Sequence, residues 1–291
     1  MVDVGHLPTI GAGPSGGPPG FGTLRLSDLP TASRGRPQRS RQHIVMLVSA
    51  GHGRHAIDFV EYICRPGTLL WSRPGQVHQF GAQPALDATL LLFTPDLLPA
   101  LPALADILAD PFGPVCWLPT GEDEDAILAD VTQLSTDIHR YRAGDQLGMQ
   151  LLRHQLAVLL TRIAALSRRS TGGDVMARFR REIETSFAGT RRVEDYAERL
   201  GYSVRTLTRA CLAATGRSAK QVVDARVALE AKRLLACTDI PVADVGRRLG
   251  FPEPTNFGRF FIRETGRTPG EFRATHLPAH LPTRPRRASS L

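Results

Sequence analysis

Cysteine is scarce in this sequence of 291 residues, and its four cysteines (Cys64, Cys116, Cys211 and Cys237) form no C-x-x-C pair. We therefore expect neither a structural zinc site nor a disulfide framework, and a reducing cytoplasm fits better. Long apolar runs are also missing, because acidic residues and prolines interrupt the longest one, residues 90–118. A membrane-spanning helix needs about 20 apolar residues, so no membrane partner is expected.

Lysine is nearly absent, since Lys220 and Lys232 are the only lysines among 36 basic residues. The formal net charge of +8 is unevenly placed: residues 46–173 hold 9 basic and 13 acidic residues, whereas residues 174–273 hold 19 and 13. This distribution is expected when one domain binds a polyanion and the other does not. Basic residues that only raise solubility would give the same excess, so charge alone does not decide.

The first half of the chain has the composition of a leader followed by short strands. Residues 1–22 are rich in glycine and proline and bury too little apolar surface to become ordered, so we expect a flexible leader. Strand-like runs separated by glycine and Pro-Gly turns then extend from His43 to Leu118, and His55 to Cys64 alternates as strands do. Many short strands divided by such turns favour a β-sandwich or a small barrel.

The second half has helical periodicity. Apolar residues recur at three- and four-residue steps after Gly121. The segment Gln146–Leu166 is amphipathic, with an apolar face wide enough to cover the strands and also to meet a second copy of itself. Residues 167–173 form a polar linker that ends in glycine, and residues 174–273 are predicted to be helices with short breaks.

The sequence VEDYAERLGYSVRTLTRAC, which starts at Val193, predicts two helices joined by a tight turn. Gly201 is placed to end the first helix in the left-handed conformation, and Ser203 to cap the second. Val204, Leu207 and Cys211 are predicted to be the buried stripe of that second helix. Its outer face then carries polar and basic residues, namely Arg205, Thr206, Thr208 and Arg209. This is a helix-turn-helix arrangement, whose second helix enters the DNA major groove.

The pattern returns in DIPVADVGRRLGFPEPTNFGRFFIRETG, where Gly250 ends one helix and three phenylalanines bury the next. Thr255, Asn256 and Arg259 are left on its outer face. Gly201 and Gly250 are 49 residues apart, and a single helix of roughly 18 residues between them would span about 27 Å. Recognition helices held near that separation match the roughly 34 Å turn of B-DNA, so one chain is expected to read two successive major-groove segments.

These residues resemble the AraC family of bacterial transcription regulators. The resemblance rests on LGYSVRTLTR, ARVALEAKRLL, VADVGRRLGF, NFGRFF and RETGRTPGEFR, in that order, and covers residues 174–273. It implies recognition helices at about 203–215 and 254–264 that bind double-stranded DNA. It places Arg205, Thr208 and Arg209 at base-contacting positions of the first helix, and Thr255, Asn256 and Arg259 at those of the second. Pro252 and Pro254 depart from the polar residues usual there.

The segment IDFVEYICRPGTLLWSRPGQVHQF is similar to the cupin-like effector domain found at the front of many AraC-family regulators. The implied fold is α+β: a cupin-like β-barrel with packed helices at 23–170, an all-α domain with two helix-turn-helix motifs joined by a central helix at 174–273, and a basic tail at 274–291. The barrel interior would bind a small-molecule effector, with candidate residues His55, Tyr62, Trp71 and His78. The resemblance also implies a homodimer contact along Leu147 to Ile163, RNA polymerase as a partner, and activation as the more common outcome.

Two other classes of function stay open. A cupin-type metal-dependent enzyme with an accessory helical domain would use scattered histidines such as His43, His52, His55 and His78, together with Asp58. The tight pairing of two histidines on one strand and the H-E-x-x-H motif are both absent, so we predict no catalytic residue, metal or cofactor. A DNA-coating protein would bind without sequence preference, and two capped recognition helices disfavour it. Arg284, Arg286 and Arg287 in the tail would add only salt-sensitive affinity.

Overall fold

The computed structural model describes residues 17–29, 35–81, 86–97, 113–168 and 174–276. The strands in these ranges are β1 (Phe21–Arg25), β2 (Gln38–Arg39), β3 (His43–Ala50), β4 (Gly53–Ile57), β5 (Val60–Cys64), β6 (Leu69–Ser72), β7 (Val77–Phe80), β8 (Asp87–Phe93) and β9 (Cys116–Trp117). The helices are α1 (Glu122–Arg140), α2 (Gln146–Arg168), α3 (Asp174–Ser186), α4 (Val193–Leu200), α5 (Val204–Thr215), α6 (Ala219–Cys237), α7 (Val242–Arg248), α8 (Pro254–Thr265) and α9 (Pro269–His276). Short 3-10 helices occupy Leu26–Asp28 and Pro95–Leu97.

The strands form two antiparallel sheets that face each other. One sheet has the order β1-β8-β3-β6-β9 and the other β2-β7-β4-β5. Their inner faces share an apolar core that includes Ile44, Leu70, Phe80 and Leu90. The predicted β-sandwich or small barrel is therefore confirmed, because alternate residues of each strand enter one core.

Helices α1 and α2 cover the outer face of the five-stranded sheet. Leu152, Leu156, Leu159, Leu160 and Ile163 of α2 are buried against strand residues such as Val45 and Phe93. The opposite side of α2 leaves Leu147, Leu151 and Val158 exposed. The wide apolar face predicted for this helix is thus split between the sheet and solvent.

The C-terminal domain consists of two helix-turn-helix units around α6. The first unit, α4–α5, packs with α3 and the start of α6, and the second, α7–α8, packs with α9 and the end of α6. Helix α6 is buried on nearly every side, including at Asp224, Arg226, Glu230 and Arg233. The predicted pair of motifs joined by a central helix is confirmed.

The ends of the expected leader and tail differ from the prediction. Residues 1–16 lie outside the described ranges, but Phe21 and Gly22 belong to β1, because Phe21 pairs with Phe93 and its side chain enters the core. Helix α9 continues to His276, three residues into the expected tail. The tail arginines and most of the 167–173 linker fall outside the described residues.

The alternating segment from His55 to Cys64 is a hairpin, not one continuous strand. Strands β4 and β5 pair from Gly53 to Cys64, and Asp58 and Phe59 form the turn with φ of 51° and 67°. A two-residue turn with positive φ at both positions usually contains glycine or asparagine. Aspartate tolerates positive φ, but a bulky residue such as Phe59 rarely adopts it, so the local sequence carries no clear signal for this turn.

Candidate nucleic-acid interface and effector site

The turn between α4 and α5 has the local structure that the sequence predicts. Gly201 adopts φ 67°, and its N–H donates to the Ala197 and Glu198 carbonyls. Ser203 caps α5, with its Oγ accepting from the Thr206 N–H at 3.0 Å. Both predicted caps are confirmed, and together they fix the direction in which α5 leaves the turn.

The outer face of α5 presents two free arginines. Arg205 and Arg209 are exposed, and neither guanidinium forms an ion pair with any residue in the described part of the chain. Thr208 is half-buried, and the Thr206 hydroxyl lies 2.9 Å from Ser203 Oγ, so Thr206 serves the cap. Val204 is 38% exposed and does not belong to the buried stripe, because it lies in the first turn of the helix beyond the edge of the core.

Helix α8 repeats this arrangement with fewer donors. Pro254 opens the helix, as predicted, and the N-cap Glu253 makes no side-chain cap hydrogen bond. Thr255, Asn256 and Arg259 are exposed. Among the described residues the Asn256 side chain has no hydrogen-bond partner, so it is not a cap. Phe257, Phe260 and Phe261 are buried, as predicted, and belong to the core.

The two recognition helices align at an offset of 50 residues. Each has 12 residues and ends in Thr-Gly-Arg, with Gly216 at φ 69° and Gly266 at φ 74°. Gly201 and Gly250 are 49 residues apart, one fewer than the helix offset of 50. The difference arises because the recognition helix starts three residues after the glycine in the first unit and four residues after it in the second. The repeated Thr-Gly-Arg was the signal for two residues that the sequence analysis missed: Arg217 and Arg267 are both exposed, and neither forms an ion pair within the described ranges.

Three of the four predicted effector residues share the inner face of the four-stranded sheet. His55 lies opposite Tyr62 and Phe80 in the strand register, and His78 lies opposite Ile57. The His55 and His78 rings are 6.1 Å apart between centroids. The structure therefore brings His55, Tyr62 and His78 together inside the barrel.

Both barrel histidines are neutral, and three of their four ring nitrogens are buried without a hydrogen-bond partner among the described residues. Burial lowers the pKa of His55 to about 3, with a further contribution from the neighbouring His78. Burial also lowers the pKa of His78 to about 4, although the Asp58 carboxylate opposes this. Nδ1 of His55 and both ring nitrogens of His78 are buried without a hydrogen bond to any described residue. Such unsatisfied atoms cost about 1–3 kcal/mol each and are suited to a polar ligand.

Trp71 does not join this group, which corrects the prediction. Its side chain is fully buried on the outer face of the five-stranded sheet, among the residues that pack against α1 and α2. Its Nε1 donates to His43 Nδ1 at 3.3 Å. Neighbouring residues of β6 alternate between faces, so Leu70 enters the barrel and Trp71 faces the helices.

Among the described residues no group of three or more His, Cys, Asp or Glu is arranged to hold a metal ion.

A buried ion pair joins the barrel to the C-terminal domain. Arg233 of α6 donates from Nε and Nη2 to the two carboxylate oxygens of Asp58, at 2.9 and 2.7 Å. The same carboxylate accepts from the Val77 N–H at 3.0 Å and the Gln76 amide at 2.7 Å. Phe59, the other turn residue, packs edge-on against Phe272 of α9 at 5.3 Å. Asp58 and Arg233 are 175 residues apart, so no local sequence pattern predicts this contact.

A second carboxylate extends the same contact. Glu230 of α6 accepts from Arg39 of β2 at 2.8 Å and lies 3.2 Å from both Arg226 and Arg233. Burial opposes ionisation, but the three guanidinium groups lower the pKa of Glu230 below its ordinary value. The barrel and α6 are therefore linked by a charge-compensated network.

Comparison with known families finds a matching domain model in each half of the chain. Residues 23–157 match the model described as an AraC-like ligand binding domain, and residues 196–275 match a helix-turn-helix domain. The chain belongs to the AraC family. As an AraC-family transcription regulator it binds DNA and a small-molecule effector, and it is not an enzyme.

Relatives of this AraC-family regulator align over most of their length. The HTH-type transcriptional activator RhaS of Escherichia fergusonii is 26% identical, covering 79% of this chain and 84% of the relative. The arabinose operon regulatory protein of Salmonella typhimurium is 27% identical, covering 82% and 86%. The alignment with the solved structure of ToxT from Vibrio cholerae covers 89% of this chain and all of the ToxT chain, with a TM-score of 0.47 and 11% identity.

In the described part of the chain no helix is long and apolar enough to cross a membrane.

Proposed function

We propose that this AraC-family protein activates transcription in response to a polar small molecule by inserting α5 and α8 into two successive major-groove segments of DNA. One observation carries the proposal. Arg205 and Arg209 on α5 and Arg259 on α8 are exposed on the outer faces of their helices, and none of the three forms an ion pair with a described residue. Such arginines are suited to forked contacts with guanine and phosphate.

The proposed contacts fall into two groups. Arg205, Thr208 and Arg209 on α5, with Thr255, Asn256 and Arg259 on α8, are proposed to face base edges, and Thr206 holds the cap beside them. Arg217 and Arg267 follow the two helices at equivalent positions and are proposed to bind phosphates. The proposed effector domain begins with β1 at Phe21, and the proposed DNA-binding domain extends from Asp174 to the end of α9 at His276.

The proposed effector carries a hydroxyl or carboxylate group that lies between His55 and His78. Neutral imidazoles offer one donor and one acceptor each, and the Tyr62 hydroxyl lies on the same sheet face. Ligand binding there would act on the Asp58 turn, because Ile57 pairs with His78 and Asp58 follows Ile57. Through Arg233 the effect would reach α6, which contacts both helix-turn-helix units.

We also propose a homodimer that forms along α2. Leu147, Leu151 and Val158 are 78%, 51% and 47% exposed and lie on one side of the helix. Burial of such a stripe against its copy would remove apolar surface from water. Activation, recruitment of RNA polymerase and action in the bacterial cytoplasm, where the DNA lies, are proposed from the activators among the relatives.

Selection from randomised duplexes with the purified chain tests DNA reading. Two conserved half-sites about 10 base pairs apart are expected if both helices engage successive turns. A single short site would show that only one helix reads bases, and no enrichment over input would overturn the proposal.

Sedimentation of charge-substituted chains tests the dimer. Leu151→Glu is expected to give a monomer, because it buries a carboxylate in the proposed contact. Ile63→Glu, at a 79% exposed position on β5, is the matched control and should stay dimeric. A dimer that survives Leu151→Glu would place the contact elsewhere.

A further inference from the structure

The segment between α3 and α4, residues 187–192, is fixed on the first helix-turn-helix unit. The Tyr196 hydroxyl of α4 donates to the Thr190 carbonyl at 2.8 Å. The Thr190 hydroxyl hydrogen-bonds the Asp195 carboxylate, and the Gly189 N–H donates to the Ser186 carbonyl at 2.9 Å. Backbone and side-chain bonds therefore give this segment one defined path over α4.

The same segment reaches the second unit through Arg191. Its guanidinium carbon lies 3.6 Å from the centroid of the Phe251 ring and 5.8 Å from that of Phe260. Phe251 lies in the turn between α7 and α8, and Phe260 lies on the buried side of α8. A guanidinium over an aromatic face is attracted by the ring quadrupole, so Arg191 ties the segment to the start of the second recognition helix.

Two further contacts show how closely the segment approaches the second unit. Gly250 has φ +76°, and a Cβ built there would lie 3.0 Å from the Ala188 carbonyl oxygen. Phe187 packs against the apolar clusters of both units. The Arg226 guanidinium of α6 lies 3.9 Å from the Phe187 ring. The segment thus contacts the first unit, the second unit and the central helix α6 that connects them.

We propose that residues 187–191 form a clamp that fixes the separation and angle of α5 and α8, with Arg191 as its positioning residue. Helix α6 packs with the first unit at its start and with the second unit at its end, and Arg263 of α8 pairs with Asp224 of α6 at 3.1 Å. The clamp adds a direct contact between the two units to those that each unit makes with α6, and so restrains their relative orientation further. The role in DNA binding rests on the proposed reading of DNA by both helices.

Binding to duplexes of altered spacing tests the clamp on DNA. One inserted base pair between the two half-sites turns the second by roughly 35°, so a rigid wild-type chain should lose about tenfold or more in affinity. Arg191→Ala should lose about threefold or less on the same insertion, and should bind a duplex with only the first half-site as the wild type does. An equal spacing penalty in both proteins overturns the clamp.

Arg192→Ala is the matched control for this experiment. It removes the same charge from the next residue, whose exposed side chain pairs, within the described ranges, only with Glu194, at 3.8 Å. Its spacing penalty should equal that of the wild type. Gly250→Ala should relax the spacing requirement, because its Cβ displaces Ala188. Gly201→Ala should not, since apart from the chain neighbours no described residue lies within 4 Å of a Cβ built there.

A distance measurement without DNA separates failure of the clamp from failure of the proposed function. Spin labels at Leu212→Cys and Ile262→Cys, two exposed and equivalent positions of α5 and α8, report the separation in a Cys116→Ser background. The wild type and Arg192→Ala should give a narrow distribution, and Arg191→Ala a broad one. Equal widths overturn the clamp. Broadening in Arg191→Ala, with no paired half-sites in the selection, would support the clamp and overturn reading by both helices.

Discussion

At the residue scale, the outer-face arginines of the recognition helices differ from the buried arginines of α6 in having no carboxylate partner among the described residues. Arg226 and Arg233 are buried in ion pairs, whereas Arg209 and Arg259 are exposed without such a pair in the described ranges. An unpaired guanidinium keeps its forked donors available for DNA.

Arg209→Ala is therefore expected to weaken binding to the selected site by about 1–3 kcal/mol if the side chain contacts a guanine. Binding to random duplex should change far less, and competition titrations measure both. Arg153→Ala, an exposed residue of α2, removes the same charge and should leave both affinities unchanged. An equal loss on random DNA would mean that Arg209 contacts only phosphate.

Three buried histidines make stability depend on pH. Burial, with a contribution from Arg73, lowers the pKa of His43 to about 3, and burial dominates at His55, about 3, and at His78, about 4. In the unfolded chain these groups take up a proton near pH 6.5. Between those pH values the unfolded chain binds more protons, so the free energy of unfolding falls as the pH falls, by up to about 1.4 kcal/mol per pH unit for each histidine.

His78→Gln should lower this slope by about a third between pH 6.5 and pH 4.5, because one of the three groups no longer titrates. Urea unfolding at several pH values measures the slope. His139→Gln, at an exposed position of α1, is the control. An unchanged slope in His78→Gln would show that His78 is not buried as a neutral ring.

At the element scale, the two recognition helices have the same length and the same C-terminal glycine but different N-termini. Ser203 Oγ accepts a hydrogen bond from the first turn of α5, whereas Glu253 makes no side-chain cap for α8. Pro254 removes one N–H that would otherwise need a partner. The start of α5 is therefore stabilised by its cap, and the start of α8 by proline.

Ser203→Ala should lower the free energy of unfolding by about 1 kcal/mol, the usual effect of losing such a cap. Glu253→Ala serves as the comparison and should cost much less, because no cap hydrogen bond is lost. Chemical denaturation of the two variants beside the wild type decides. Equal losses would contradict the difference between the two N-termini.

At the scale of the whole molecule, the hairpin turn at Asp58 joins the effector domain to the DNA-binding domain, together with the Arg39–Glu230 pair of β2 and α6. Asp58 and Arg233 are 9% and 3% exposed, so neither charge is well solvated. Removing one partner of such a pair leaves the other buried and uncompensated. The Arg54–Glu61 pair of the same hairpin is exposed on both sides and is a natural comparison.

Asp58→Asn is expected to destabilise the chain by about 3–5 kcal/mol, whereas Glu61→Gln should cost about 1 kcal/mol or less. Thermal unfolding of the two variants measures the difference. Combining Asp58→Asn with Arg233→Met should recover part of the loss, because it removes the unpaired charge. Similar losses for Asp58→Asn and Glu61→Gln would show that the domains are not held by this pair.

The sequence by itself determined the features that depend on neighbouring residues. The helical period placed Leu207, Cys211 and Phe257 inside, and the cap chemistry of Gly201 and Ser203 located the first recognition helix, because both effects act within one turn of the chain. The alternation of apolar residues along the strands predicted the barrel, but it did not predict the hairpin turn at Asp58.

Only the tertiary structure decided the features that need a partner distant in sequence. Alternation cannot tell which face of a sheet meets helices and which meets the other sheet, so Trp71 was assigned to the wrong side. Periodicity likewise could not divide α2 between the sheet and solvent. The pairing of Asp58 with Arg233, and the place of Arg191 over Phe251, depend on how separate elements pack, and no local pattern encodes that geometry.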